Sequence, residues 1–143
     1  MKAGVLTALF AACAMGLYTV FHAAASKLIN NVLGAVLASV VAIFFGSIFV
    51  IPVLRQGSVV ITPKGLFFIA LSGICAFSVD YLVLRAFNHG LAVSIGGPII
   101  IGGSIAIATL VGFISGDTIS FLKIIGILLI LLGASLLAAM PVH

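Results

Sequence analysis

Side chains able to handle charge are scarce in this chain, and they cluster. Six basic and two acidic residues occur among 143, yet His22 and Lys27 fall five positions apart, and Asp80, Tyr81, Arg85 and His89 fall within one short stretch. Tyr18, His22 and Ser26 recur every four residues, as do Tyr81, Arg85 and His89, so each set shares one face of a helix. Asp80 belongs to a neighbouring face and makes no obvious intrahelical pair with Arg85. The chemistry on offer is recognition of negative groups by Lys27, Arg85 and the imidazoles. Asp80 would pair with a base or carry a coupling proton. Ionisable groups inside membranes generally face the protein interior and mark a pathway. The plainer alternative is that Lys27 and Arg85 extend to the lipid headgroups along their aliphatic stems, while His89 caps a helix. Asp80 is too short for that, so a partner or a cavity is expected around it.

Other chemistries lack their residues. The sequence contains no HExxH, no serine-protease-like GxSG and no CxxC. Intramembrane proteolysis and thiol redox are therefore unsupported, and neither an enzyme, a cofactor nor a metal site is expected. Cys13 and Cys75 have no partner spacing and read as small apolar residues. The first helix has no carboxylate, the natural counter-ion for a cationic substrate. The net charge of +4 rests on too few residues for a nucleic-acid surface.

The elements that must position these groups follow from the gaps between charges. With 64% hydrophobic residues, 6% charged and a mean hydropathy of +1.53, the composition is far from the ~25% charged of soluble domains. Uncharged runs cover 3–26, 28–54, 86–116 and 124–143. Each approaches or exceeds the ~20 apolar residues that cross a ~30 Å hydrocarbon core. A fifth run from Gly65 continues through Asp80 to Leu84. These runs predict an all-α integral membrane protein, a bundle of five transmembrane helices at about 3–27, 33–54, 64–86, 91–115 and 119–140, forming one domain over 1–143. The start MKAGVLTALFAACA resembles a secretory signal, but its apolar stretch runs past Cys13 through Phe21, beyond a ~7–15-residue signal core.

Turn chemistry separates the helices at Asn30-Asn31, at Arg55-Gln56-Gly57-Ser58 with Thr62-Pro63-Lys64, at Asn88-His89-Gly90 and at Ser115-Gly116-Asp117-Thr118. Pro63 suits the first position of a helix. Lys2, Arg55, Lys64 and Lys123 fall on the N-terminal side, and Lys27 and Arg85 on the other. The bias favours a cytoplasmic N-terminus and leaves room for dual topology. If Lys27 and Arg85 point into the protein, the bias sharpens.

Small residues four apart predict close helix contacts, because membrane helices associate through packing. Ala38, Ala42 and Gly46 form such a ladder in the second helix, and Ser72, Ala76 and Asp80 in the third. The fourth has Ser94, Pro98, Gly102 and Ala106, then Ser104, Ala108, Gly112 and Gly116. Gly126 and Gly133 share a face of the fifth. Gly46, Gly103, Ala108, Gly112, Gly126 and Gly133 are thus expected packing positions. In SIGGPIIIGGS (residues 94–104) Pro98 also removes a backbone donor, leaving the Ser94 carbonyl without its helical partner. A polar cavity and a plainly packed kink account for this equally well.

Taken in order, these features resemble the EamA-like branch of the drug/metabolite transporter superfamily. The tract YLVLRAFNHGLAVSI (residues 81–95) is similar to the family's tyrosine and alanine ahead of a polar turn and a small-residue helix start. Pro98 corresponds to the fourth-helix proline. Gly116-Asp117 resembles a usual Gly-Glu, Gly126–Gly133 the closing glycine-rich helix, and Lys27 a lysine at the end of the first. The resemblance implies one half of an inverted-repeat transporter, working with a second five-helix copy of opposite orientation, as an antiparallel homodimer or a paralogous heterodimer. It also implies a secondary carrier of small metabolites in a prokaryotic cytoplasmic membrane. The substrate-binding set would be Tyr18, His22, Lys27, Asp80, Tyr81, Arg85, Gly97, Pro98 and Gly102, and the basic excess suggests an anionic or zwitterionic substrate. The alternatives are a flippase of a lipid-linked substrate and a non-transporting membrane assembly subunit.

Overall fold

A computed structural model describes residues 2–57, 61–116, 118 and 120–139. Ser58, Asp117, Ile119 and Met140, which belong to turns and helix ends expected above, lie outside the described residues. The described residues form five α-helices and no strand: α1 (Lys2–Ala25), α2 (Asn31–Arg55), α3 (Pro63–Asn88), α4 (Val93–Ile114) and α5 (Phe121–Ala138). All five are long and apolar enough to cross a membrane, and the chain is an integral, multi-pass membrane protein.

Local chemistry explains where the helices begin and end. Asn30 opens α2 two residues before the expected start, because its Oδ1 accepts the N–H groups of Val32 at 3.0 Å and Leu33 at 3.3 Å. Pro63 opens α3, with the Thr62 hydroxyl accepting the Gly65 N–H at 3.1 Å. Helix α1 stops at Ala25, two residues short of expectation. The N–H groups of Leu28 and Ile29 both turn back onto the Ala25 carbonyl, and Lys27 sits in that turn. Gly90 and Gly116 end the turns after α3 and α4 with φ of +90° and +100°, a region where a side chain would be strained. Helix α4 runs unbroken through Pro98. So does α2 through Pro52, which falls inside the expected span 33–54.

The chain divides into two compact units, one of residues 21–88 and one of residues 1–20 with 89–143. In the first unit α2 and α3 pack against each other, and their contact lies at one end. Ala35 on α2 and Val83, Leu84 and Phe87 on α3 are buried, together with Ser26 after α1; residues 64–79 of α3 are all exposed. In the second unit α4 packs on α5. Its buried residues are Thr19 on α1 and Ile95, Gly96, Gly97 and Gly102 on α4, while α5 buries none fully. Apolar side chains stay exposed along every helix. Lipid tails are as apolar as leucine, so no hydrophobic force drives these surfaces inward.

Candidate functional site

The polar end of α1 and α3 is built on the apolar contact just described. Gly34 allows the close approach: a Cβ there would come within 2.9 Å of Leu84 Cδ1 and 3.1 Å of Ile29 Cγ2. Leu84 itself is only 2% exposed. With α2 drawn this close, the ends of α2 and α3 are tied by a hydrogen bond from Asn88 Nδ2 to Asn31 Oδ1 at 3.3 Å. The turn-forming character of Asn31 and Asn88 is legible in sequence; that they meet each other is not.

One turn below Leu84, Asp80 is buried and faces α1. Its Oδ1 lies 3.5 Å from Nε2 of His22, with 11% of the His22 side chain and 12% of the Asp80 side chain exposed. The partner expected for Asp80 is therefore an imidazole from another helix, and the contact becomes an ion pair whenever His22 is protonated. A carboxylate this deeply covered needs such a neighbour, because burying a charge alone is strongly unfavourable. Ser26, one turn beyond His22, is buried with its hydroxyl donating to the Ala23 carbonyl at 2.8 Å. A cleft of about 220 Å³ opens beside the pair, with His22, Phe21, Gly34 and Leu84 among its walls. Almost everything lining it is apolar, so His22 is its main polar feature.

The remaining polar residues of this unit are more open. Tyr81 is half-buried and accepts a 3.1 Å hydrogen bond at its hydroxyl from Arg85 Nη1, one turn on. The shared face read from their spacing is thus occupied by a direct contact. Arg85 and Lys27 are exposed. His89, just past the end of α3, is the first residue of segment 89–143 of the other unit and is exposed as well.

The other expected site residues belong to the second unit. Tyr18 and Pro98 are half-buried, and Gly97 and Gly102 are buried. A Cβ on Gly97 would meet Thr19 Cγ2 at 3.8 Å, and one on Gly102 would meet Ala134 Cβ at 3.2 Å and Ile130 Cγ2 at 3.5 Å. Gly97 therefore allows contact with α1, and Gly102 with α5. Thr19, buried with its hydroxyl bonded to the Met15 carbonyl at 2.9 Å, is the residue that sequence reasoning passed over. Its hydroxyl next to Tyr18, in a helix with few polar side chains, is the signal the sequence offers. Gly46, Gly103, Gly126 and Gly133 have no neighbour within 4 Å of where a Cβ would stand. Ala108 is exposed and Gly112 half-buried. Among the described residues no cluster of metal-ligating side chains forms, and Cys13 and Cys75 are exposed free thiols.

In comparisons of the chain with family models, curated proteins and solved structures, none matches.

Proposed function

We propose that the chain is a five-helix unit of a secondary carrier for small anionic or zwitterionic metabolites. The observation that carries this reading is the His22–Asp80 contact, two ionisable side chains from different helices held together and mostly buried in a membrane protein. Such pairs within spans are costly to keep and commonly line substrate or ion pathways. Arg85, supported by Tyr81, and Lys27 add positive charge in the same unit, where a negative group would be drawn. The resemblance of residues 81–95, Pro98 and the α5 glycines to EamA-like transporters points the same way. The charge distribution favours a cytoplasmic N-terminus. A carrier of this type works by alternating access around a pair of units in opposite orientation. The second unit is then a copy of this chain inserted the other way, or a paralogue.

Flux in proteoliposomes tests the reading. Pooled anionic and zwitterionic metabolites are offered to the purified protein, alone and mixed with a five-helix paralogue from the same source. Wild type is expected to move at least one compound, and Asp80→Asn to abolish that movement while inserting normally. Absence of flux in every combination overturns the carrier and leaves a membrane assembly subunit.

A further inference from the structure

Helices α4 and α5 pack against each other and leave a cleft beside their contact. Gly102 meets Ala134 and Ile130, and toward the C-terminal end of α4 and the start of α5 lies a cleft of about 470 Å³. Its volume falls in the ~300–1,000 Å³ range of small-molecule sites. Phe113 on α4 and Ile127 and Ile130 on α5 give it apolar walls, and Gly126 leaves its side open because no atom lies within 4 Å of a Cβ there. The charged group in its lining is Lys123, in the first turn of α5. The ammonium gives one hydrogen bond, to the Thr118 carbonyl at 2.9 Å, so two of its three N–H donors are left for a ligand.

We infer that this cleft binds an anionic glycerophospholipid of the surrounding bilayer, its phosphate on Lys123 and one acyl chain along Phe113, Ile127 and Ile130. Two features select this occupant. The cleft belongs to two membrane-spanning helices and, Thr109 and Lys123 apart, is lined by apolar residues, which suits a hydrocarbon chain. Its single cation sits at a helix start, where a span of 18 residues meets the headgroup layer. Basic pockets between helices at that level recognise acidic headgroups. A zwitterionic lipid offers the same chain but carries a cation that Lys123 repels.

Native mass spectrometry of the full chain, released from micelles containing equal phosphatidylglycerol and phosphatidylcholine, tests the site. Wild type is expected to retain phosphatidylglycerol preferentially, and Lys123→Gln to reduce that preference about fivefold. Gly126→Leu, whose Cβ meets no neighbour, projects a side chain into the cleft and is expected to reduce retention of both lipids, whereas Lys64→Gln, outside the cleft, changes neither. Equal retention of the two lipids by wild type, or an unchanged preference in Lys123→Gln, overturns the inference. So does displacement by millimolar inorganic phosphate, which would mark a site for the free anion. A Gly126→Leu variant that keeps its lipid but loses self-association would assign the cleft to a second copy, and also overturns it.

Discussion

The contact of α2 with α3 and that of α4 with α5 solve the same problem in different ways. Both are antiparallel neighbours in a membrane, where apolar burial gives little drive to associate. In each, one glycine brings the backbones together, Gly34 against Leu84 and Gly102 against Ala134. The first contact, however, lies beside a buried His22–Asp80 pair and is closed off by Asn31 and Asn88, so polar groups from three helices converge there. The second is apolar around Gly102 and is flanked by a cleft that includes Lys123. The difference teaches that glycine alone sets helix separation, whereas what fills the space beside it sets whether a site exists. Specific ionisable chemistry concentrates in residues 21–88; the α4–α5 cleft is shaped for a chain of lipid.

The largest test of this contrast is Asp80→Leu. It leaves His22 facing a leucine, and unfolding in mild detergent should show a loss of about 3 kcal/mol, the scale for breaking a buried pair. A change near zero would mean that the pair contributes nothing to the stability of this unit. Gly34→Ala comes next, because its Cβ would fall 2.9 Å from Cδ1 of Leu84, which is buried and has little room to move away. Overpacking of this kind costs about 2 kcal/mol. Gly102→Ala should be milder, about 1 kcal/mol, since the clash at 3.2 Å is with one methyl group and the alanine itself favours the helix. Equal sensitivity at 34 and 102, measured in one detergent, would erase the distinction between the two contacts. The smallest effect is expected at Gly133. Alanine there meets nothing and should stabilise slightly, by at most about 1 kcal/mol from helix propensity. A marked loss of self-association in Gly133→Ala, seen by cross-linking in membranes, would show that a second chain covers this face.

How much of this was legible beforehand differs from residue to residue. The five spans were readable because length, apolarity and turn residues act locally. Asn30, Pro63, Gly90 and Gly116 mark boundaries by their own backbone chemistry, and the observed ends fall within about two residues of expectation. The Tyr81–Arg85 contact was readable for the same reason, as residues one turn apart on one helix must be neighbours. The glycine ladders were less informative. Every-fourth spacing defines a face but does not say which face meets a partner, so Gly102 packs tightly while Gly103 and Gly133 stand open.

By itself, then, the sequence determined an all-helical, multi-pass membrane chain and the faces on which its few ionisable groups lie. Only the tertiary structure decided that Asp80 meets His22, that Thr19 lies against Gly97, and that a cleft between residues of α4 and α5 includes Lys123. The reason is geometric. A helical period fixes the angles between side chains on one helix, but the rotation and crossing of two helices depend on how their ridges interlock. A change of one residue in that interlocking would carry a different side chain to the histidine.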